Sequence, residues 1–506
     1  MSDDVTRIAL VNLGERPSGE AQCTSPPAMP KDSASQRMRV SFCLPALLFL
    51  ILPNLPLLLS TRSLGTLPHG YVNLEYLFIG AVGVMLPRGV VFALLVMEFV
   101  ADFVYAICYT YQFSVGDLLL SLRYLGAMPV GRMMQGAALL GMVVLICITL
   151  ALLRSLPQNR VWTFGALLIF IAILTPIDML GGQNPFWQKD VAALSCRVTR
   201  SPALTLLVRE LRAYCTDVRS RAAVNAPMRS ASSRAVSLLQ ARPNSARSPN
   251  VVLIVVESWG LLQDAQLAQA ITVPFDDPRI AQRYLVSSGG VPFTGLTVPG
   301  EARELCHSTA GFGIIHPNAE QDKRCLPGFF NARGYESFAV HGYVGQMFYR
   351  SSWYSTLGFD HTWFEADLKT AGLASCHGAF PGICDSSIAA WIGESLLTGD
   401  KVKPRFIYWV TLNSHVPVPA HPDLPDDGVC ATSSELRNSA ALCSWFQLER
   451  AVQQSVQKVA LQTTYRPTVF ILVGDHAPPF SDAQLRNDFS STMVPYLMLT
   501  PKSLSH

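Results

Sequence analysis

Long apolar segments separated by short polar breaks occupy the first 180 residues, and the pattern changes after them. Five segments predict transmembrane helices, because about 20 apolar residues cross roughly 30 Å of hydrocarbon. They run from Ser41 to Ser60, Tyr71 to Pro87, Gly89 to about Phe113, Met133 to Leu153 and Val161 to about Ile177. The pattern divides the chain into a tail (1–40), a transmembrane domain (41–182), a connector (183–249) and an aqueous domain (250–506).

Arginines at the ends of these segments predict their orientation. Five arginines fall on the same side of the predicted spans, namely Arg37, Arg39, Arg88, Arg154 and Arg160. Cytoplasmic loops carry an excess of lysine and arginine, so this side is predicted to be the cytoplasmic one. An odd number of spans then places the tail in the cytoplasm and everything after residue 182 outside it. Three arginines fall on the outer side and weaken the bias, namely Arg62, Arg123 and Arg132.

Two acidic residues interrupt the third predicted span. Glu98 and Asp102 are four residues apart and would share one helix face. Ionisable groups inside a membrane are costly, which makes the pair a candidate functional site. The alternative is a structural pair buried between neighbouring helices.

Composition fits a chain divided between membrane and water. Only 15% of the residues are charged, 50% are hydrophobic and the net charge is +3, whereas a soluble protein carries about a quarter charged residues. These values exclude a cytosolic enzyme, a disordered regulator and a nucleic-acid binder. The connector holds Lys189 and ten arginines against three acidic residues, a net of +8. It suits anionic lipid headgroups or a solvated linker, and Ala222 to Pro249 is expected to be flexible.

Eight of the twelve cysteines follow the predicted spans. An even number in a domain outside the cytoplasm favours disulfides over a zinc cluster, since no CxxC pair occurs. We expect neighbours in sequence to pair, although eight cysteines allow 105 pairings. The expected pairs are Cys196–Cys215, Cys306–Cys325, Cys376–Cys384 and Cys430–Cys443.

Four apolar runs in the aqueous domain end in residues that can carry chemistry. The run Asn250 to Val256 predicts a strand buried on both faces of a parallel sheet. Similar runs are Ser337 to Val340, Phe406 to Leu412 and Thr468 to Val473. Ligand sites of open α/β sheets lie beyond the carboxyl ends of the strands. A site is therefore expected at the residues that follow these four runs, which include Glu257, His341, His415, Asp475 and His476.

Glu257, Asp475 and His476 together suit a divalent ion such as zinc or manganese, with magnesium possible. Taken singly, Glu257 could cap a helix, and Asp475 and His476 could form a turn. Thr297 stands at the start of a helix-like run and is a candidate nucleophile. A bound metal would lower the pKa of its hydroxyl, and backbone N–H groups at the helix start would stabilise a phosphate attached to it. It could equally be a helix cap, and Thr294, Ser308 and Thr309 are alternatives.

In this order, the segments VVLIVVESWG, TVPGE, NSHVP and LVGDHAP behind five spans resemble the lipoteichoic acid synthase and phosphoglycerol transferase branch of the alkaline phosphatase and sulfatase superfamily. The resemblance covers residues 250 to 500 and the membrane topology. It implies an alkaline phosphatase-like fold, in which Glu257, Thr297, Asp475 and His476 bind the metal and Thr297 is the nucleophile. The acidic residue that the family places four positions after the threonine is Glu301.

The resemblance also implies substrate-binding residues. His415 and Arg350 match residues that bind the transferred phosphate, Phe348 matches an aromatic residue of the pocket, and His341 matches a further position near the site. The formylglycine signature of sulfatases is absent. A histidine that phosphoethanolamine transferases carry late in the domain is also missing, since only His506 follows His476.

The function that this resemblance implies is a metal-dependent transfer of a phospholipid headgroup, with phosphoglycerol as the expected headgroup. It would proceed through phospho-threonine to a glycan or lipid of the cell envelope. The connector and the cysteines suit a multi-pass protein of a bacterial inner membrane with its catalytic domain in the periplasm. The alternatives are a phosphoethanolamine transferase, a membrane-anchored phosphodiesterase or sulfatase-like hydrolase, and a non-catalytic envelope scaffold.

Overall fold

A computed structural model describes residues 44–64, 72–111, 115, 118–119, 130–153, 160–180, 199–208, 229–240 and 248–504. The last range lacks 294, 309–313, 315–324, 379, 400–402, 420–421, 423, 425–427, 463 and 481. The predicted tail, the Cys196–Cys215 pair, Thr294 and Thr309 lie outside the described residues.

Apolar helices form where the hydrophobic pattern predicts them. A mainly helical stretch begins at Leu44 and passes through the 3-10 turn Leu52–Asn54. The helices are α1 (Leu55–Leu64), α2 (Leu74–Gly83), α3 (Arg88–Tyr111), α4 (Val130–Leu153) and α5 (Arg160–Leu180). The stretch that begins at Leu44 shares a buried apolar cluster with α2 to α5, and this cluster includes Phe49, Leu77, Leu95, Leu150 and Leu167.

Two of these helices are long and apolar enough to cross a membrane, over Arg88–Cys108 and Met133–Leu153. Shorter apolar helices cover Leu44–Ser60, Leu74–Gly83 and Arg160–Pro176. The five-span topology therefore stays a prediction, although each predicted segment contains an apolar helix.

The acidic pair of α3 is bound by neighbouring segments. Asp102 accepts hydrogen bonds from Arg200 Nε at 2.9 Å and from Arg200 Nη2 at 2.8 Å, and both side chains are buried. Glu98 accepts a hydrogen bond of 2.7 Å from the Asn73 side chain. This arrangement agrees with the structural alternative for the pair.

Arg200 belongs to the connector, which also forms backbone contacts with the helical part. The two-residue strands β1 (Val72–Asn73) and β2 (Thr199–Arg200) pair in parallel. Glu75 accepts hydrogen bonds of 2.8 Å from the backbone N–H groups of Ala203 and Leu204. The beginning of the described connector is therefore tied to α2 and α3.

A seven-stranded sheet forms the centre of the aqueous domain. Its strands are β3 (Asn250–Val256), β4 (Tyr284–Pro292), β5 (Glu336–His341), β6 (His361–Trp363), β9 (Arg405–Val410), β10 (Thr468–Gly474) and β11 (Met493–Pro501). The order is β4-β11-β10-β3-β9-β5-β6. β11 runs antiparallel to both of its neighbours, β4 and β10, and all other neighbouring strands pair in parallel. The four predicted strands are confirmed and lie side by side. A separate hairpin joins β7 (Ser375–Cys376) to β8 (Gly382–Ile383).

Helices cover both faces of the sheet, since β3 is buried throughout and contributes alternate residues to two apolar clusters. They are α6 (Ser232–Gln240), α7 (Ala265–Thr272), α8 (Pro278–Arg283), α9 (Thr297–Cys306), α10 (Leu326–Asn331), α11 (Arg350–Thr356), α12 (Glu365–Thr370), α13 (Asp385–Gly399), α14 (Ser434–Asn438), α15 (Ala440–Ala460) and α16 (Ala483–Asn487). Short 3-10 turns cover Val273–Asp276, Met347–Tyr349, Val429–Ala431 and Lys502–Leu504.

Three disulfides form between cysteines that are neighbours in the sequence, as predicted: Cys306–Cys325, Cys376–Cys384 and Cys430–Cys443.

Part of the connector is ordered against the aqueous domain. Within the stretch expected to be flexible, Ser232–Gln240 instead forms helix α6. Ala235 of this helix and the preceding Ala231 are buried in the core of the aqueous domain.

Candidate active site

The carboxyl end of β3 presents the first acidic group. Glu257 is buried directly after the strand, and its backbone N–H donates to Thr411 Oγ1 at 2.9 Å. Ser258 adopts a left-handed conformation with φ 60°, which is costly for a residue other than glycine. Its hydroxyl donates to Glu257 Oε1 at 3.0 Å, and its N–H donates to Asp475 Oδ1 at 2.8 Å. Ser258 therefore fixes both carboxylates.

Asp475 and His476 follow the adjacent strand β10. His476 Nε2 lies 3.4 Å from Glu257 Oε1 and 3.4 Å from Asp475 Oδ2. One ligand atom from each of these three buried residues falls within 4.8 Å of the others. The register of the parallel pair β3 and β10 places Val256 beside Gly474 and so brings the following residues together.

This cluster has the properties of a divalent metal site. Asp475 Oδ2 is buried and has no hydrogen-bond partner among the described residues, so it can accept a ligand bond. His476 Nδ1 lies 2.9 Å from the Ala477 carbonyl oxygen, which can only accept, and the Nε2 lone pair is thereby left for the cluster. A carboxylate pair with one imidazole suits zinc or manganese.

The electrostatics of the cluster also favour an added positive charge. Burial and then the Glu257 carboxylate raise the pKa of Asp475 to about 7. Burial would lower the pKa of His476, but the Asp475 and Glu257 carboxylates together outweigh burial and raise this pKa to about 9. Burial opposes ionisation of Glu257, yet His415 and His476 lower its pKa.

Thr297 is the first residue of helix α9, and it is brought to the cluster by that helix. Its hydroxyl donates to Glu257 Oε2 at 3.0 Å. The helix passes so close to Asp475 that a Cβ atom at Gly300 would meet Asp475 Cβ at 2.9 Å, which requires glycine there. Ser308 lies beyond the other end of the helix, so the geometry favours Thr297 over it.

Two further histidines lie at the ends of neighbouring strands. His415 Nε2 is 4.0 Å from Glu257 Oε1, and its Nδ1 is 2.7 Å from the Val416 carbonyl. His341 Nδ1 is 3.1 Å from the Val410 carbonyl and its Nε2 is 3.5 Å from Arg350 Nη1. Burial, reinforced for His341 by the Arg350 charge, lowers the pKa of both imidazoles, to about 3 for His341. Both are therefore neutral near pH 7.

Arg350 is buried and is held by Glu301. Its Nε and Nη2 atoms donate to Glu301 Oε1 at 2.9 and 2.7 Å. Burial would lower the pKa of Arg350, but the Glu301 charge raises it. The guanidinium lies 5.3 Å from the centre of the Phe348 ring, and Phe348 has a left-handed backbone with φ 54°. The structure thus places Arg350, Phe348 and His341 in one group.

Sequence reasoning missed several side chains of this region. Ser258 and Thr411 orient Glu257, and Tyr354 and Tyr408 donate to Glu301 Oε2 at 2.5 and 3.1 Å. Phe380, from the β7–β8 hairpin, lies 4.5 Å from the His415 ring centre. Of these residues, Ser258 could have been identified from the sequence, because it directly follows Glu257.

The sulfatase family model matches residues 249–506. Over 242 residues the chain is 25% identical to a "Putative cyclic beta-1,2-glucan modification protein" from Rhizobium meliloti (strain 1021), covering 46% of this chain and 36% of that protein. The chain thus spans about a third of the length of that relative.

Two solved structures are similar at low sequence identity. The Streptococcus pyogenes phosphoglycerol transferase GacH with sn-glycerol-1-phosphate has a TM-score of 0.37 and 16% identity, covering 53% of this chain and 73% of that chain. The zinc complex of the periplasmic domain of EptC from Escherichia coli has a TM-score of 0.35 and 11% identity, covering 52% and 75%. The family match extends over half of the chain, which therefore belongs to the sulfatase family, within the alkaline phosphatase superfamily of phosphotransferases and hydrolases.

Proposed function

We propose that this member of the sulfatase family transfers a phospholipid headgroup, phosphoglycerol, to a glycan or lipid of the bacterial envelope. Thr297 is the nucleophile and carries the headgroup as a phosphodiester. Glu257, Asp475 and His476, with Thr297, bind one divalent ion, zinc or manganese. His415, Arg350, His341 and Phe348 contact the substrate.

The hydrogen bond between Thr297 and Glu257 carries this proposal. It joins a hydroxyl at a helix start to a carboxylate of the candidate metal cluster at 3.0 Å. Backbone N–H groups at the start of a helix favour a phosphate, and a cation bound beside a hydroxyl lowers its pKa. A nucleophile and a phosphate-binding surface therefore coincide.

In the first half-reaction, Thr297 Oγ1 attacks the phosphorus of the lipid headgroup. A bond forms between this oxygen and phosphorus, and the bond from phosphorus to the diacylglycerol oxygen breaks. Glu257 holds the Thr297 hydroxyl through its hydrogen bond, and Arg350 offsets the charge on the phosphoryl oxygens. Diacylglycerol leaves as the alcohol with the proton that Thr297 loses.

In the second half-reaction, an acceptor hydroxyl attacks the same phosphorus and the bond to Thr297 breaks. His415 is suited to take the acceptor proton, because its pKa is lowered and its Nδ1 faces the Val416 carbonyl. Its Nε2 lone pair is then free. The proton returns to the Thr297 oxygen, which restores the enzyme.

Different observations support the lipid donor and the glycan acceptor of the proposed reaction. Cys108 of α3 and Leu118 belong to the same buried apolar cluster as the core of the aqueous domain, which supports a site held near a membrane. We infer a five-span protein of the bacterial inner membrane with residues 250–506 in the periplasm. The cyclic glucan named for the Rhizobium relative supports a glycan acceptor.

The first test is mass spectrometry of the full-length protein after incubation with phosphatidylglycerol and phosphatidylethanolamine vesicles and Mn²⁺. We expect a phosphoglycerol adduct on the peptide that contains Thr297. Thr297→Ala should lose the adduct and at least about 1000-fold in headgroup release, as expected for a nucleophile. Ser308→Ala, which removes another hydroxyl from the same region, should retain both.

Other results of this experiment identify the alternatives. A phosphoethanolamine adduct indicates the second transferase class. Headgroup release that does not increase when a glucan acceptor is added indicates a hydrolase. Undiminished turnover by Thr297→Ala contradicts the assigned nucleophile, and the absence of bound metal and turnover in the wild-type protein favours an envelope scaffold.

A further inference from the structure

Arg303 connects the nucleophile helix to the loop that carries Asp475. Its side chain is almost completely buried, and Nη2 donates to the Gly474 carbonyl at 2.6 Å. Nη1 is 3.4 Å from the Asp475 carbonyl and 3.2 Å from the Pro292 carbonyl. One guanidinium thus joins α9 to the ends of strands β10 and β4.

Glu304 balances the buried charge of Arg303 and reaches outward to the connector. Arg303 Nε donates to Glu304 Oε1 at 2.7 Å. The Ser232 N–H donates to Glu304 Oε2 at 2.9 Å, and the Ala231 N–H donates to Glu304 Oε1 at 3.3 Å. The Ser232 hydroxyl also donates to the Glu304 carbonyl at 2.7 Å.

A second contact lies just beyond Glu304, where α9 ends. Ser230 Oγ lies 2.6 Å from His307 Nδ1, and His307 is the left-handed residue that ends the helix. Ala231 and Ala235 are buried in the same apolar cluster as Val298 and Ala302 of α9. Residues 230–240 therefore pack along the nucleophile helix.

We propose that residues 230–240 are part of the active-site scaffold, and that Arg303 and Glu304 are positioning residues. Docking of this segment holds Glu304, Glu304 orients Arg303, and Arg303 sets the position of Asp475 relative to Thr297. The inference concerns an element that precedes residue 249, where the family match begins.

The position of Asp475 is sensitive to this contact. Gly300 leaves no room between α9 and Asp475, so a change in the angle of the helix moves Thr297 and Asp475 against each other. A displacement of about 1 Å in a reacting geometry can reduce the rate by about 100-fold. A segment outside the sheet can thus control the reaction without contacting the substrate.

The test uses the full-length protein in phosphatidylglycerol vesicles, with Mn²⁺ affinity measured by calorimetry in the absence of lipid. Arg303→Lys keeps the charge beside Glu304 but cannot donate to several carbonyls in a fixed fork. We expect kcat to fall about 10- to 100-fold with KM within about twofold, as for misplaced catalytic groups. The Mn²⁺ dissociation constant should rise about 10-fold, as when groups that orient metal ligands are lost.

Ser232→Ala removes the hydroxyl that contacts the Glu304 carbonyl at 2.7 Å and Ser230 Oγ at 3.2 Å, and it is the second test if Arg303→Lys fails to fold. It should lower kcat and weaken Mn²⁺ binding in the same direction by a smaller factor. Ser237→Ala is the matched control, because within the described part of the chain this exposed serine of α6 donates its hydroxyl hydrogen bond to the Ser233 carbonyl, inside its own helix. It should leave both values unchanged.

Wild-type Mn²⁺ affinity and kcat in a folded Arg303→Lys or Ser232→Ala protein would overturn the proposal. The Mn²⁺ measurement needs no substrate, so it stays informative if the wild-type protein releases no headgroup. A wild-type protein that releases no headgroup would contradict the proposed function, but it would not contradict the proposed role of residues 230–240.

Discussion

One carboxylate organises the side of the site that faces the proposed substrate. Glu301 is completely buried and accepts four hydrogen bonds, two from Arg350 and one each from Tyr354 and Tyr408. Its charge balances that of Arg350, which would otherwise be costly at this depth. Glu301 therefore determines where a substrate phosphate can meet a guanidinium.

Glu301→Gln should weaken catalysis while leaving the metal cluster intact. Glutamine has one acceptor oxygen in place of two, so Arg350 loses its charge partner and part of its orientation. We expect kcat/KM for headgroup release to fall about 10- to 100-fold, which corresponds to about 1.4 to 3 kcal/mol. Steady-state kinetics and Mn²⁺ calorimetry measure the two effects.

Glu365→Gln is the control for this variant. Glu365, the first residue of α12, is partly buried and pairs with the exposed Lys369 four residues later, and pairs with an exposed partner contribute little to stability. It should keep wild-type kinetics. Equal losses in the two variants, or an unchanged rate in Glu301→Gln, would contradict the role given to Glu301.

The residues of the candidate site could be predicted to different extents. Glu257, Asp475 and His476 follow strands whose apolar pattern is clear, and the structure brings their side chains together. Arg303 could not be found in this way, because its partners are backbone carbonyls of distant strands. Such partners leave no residue-specific pattern in the sequence.

At the scale of elements, strands that are buried on both faces were easier to predict from sequence than elements whose position depends on specific contacts with distant residues. The parallel strands β3, β9 and β10 are buried on both faces and appear as continuous apolar runs. The edge strand β4 has no continuous apolar run, because the small residues Ser287 to Gly290 occupy its centre, and it was not predicted. Helix α6 was expected to be flexible, since only its contact with Glu304 and the core distinguishes it from a polar linker.

The β7–β8 hairpin places an aromatic side chain beside His415. The disulfide Cys376–Cys384 closes the hairpin, and the Ile383 N–H donates to the Gly342 carbonyl at 2.8 Å. Phe380 contacts the His415 ring and lies 5.3 Å from the Tyr343 ring centre. The hairpin thus forms a wall over the residue proposed to receive the acceptor proton.

Phe380→Ala should admit water to this side of the site. We expect the ratio of hydrolysis to transfer to rise about 5- to 10-fold, because removing an aromatic wall of about 150 Å² exposes the phospho-threonine. The measurement compares free glycerol phosphate with labelled glucan product. Tyr465→Ala, an exposed aromatic residue on another loop, should not alter this ratio.

A decrease of both products in proportion would contradict the role of Phe380 in excluding water. It would indicate instead that the ring only supports the fold of the hairpin. Restoring transfer with Phe380→Leu, which fills part of the volume, would support the wall.

At the scale of the whole molecule, two sets of contacts join the helical part to the aqueous domain. Near α3, Arg200 of the connector binds Asp102 and pairs through its backbone with Asn73. Near α9, Ser230 and Ser232 bind His307 and Glu304. The connector is therefore docked at both of its described ends, which suits an enzyme whose donor lies in the membrane.

The pair of Asp102 and Arg200 should stabilise the full-length protein through a buried charge contact. Asp102→Asn leaves the guanidinium buried without its counter-ion, which costs about 3 to 5 kcal/mol in comparable sites. We expect a lower thermal midpoint in detergent and reduced headgroup release from vesicles. Adding Arg200→Gln removes the second charge, and the double variant should recover much of the lost stability because no unpaired charge is left. Additive losses in the double-mutant cycle would show that the two residues act independently. The docking of residues 199–208 would then be assigned to other contacts, such as the β1–β2 pairing and the hydrogen bonds to Glu75.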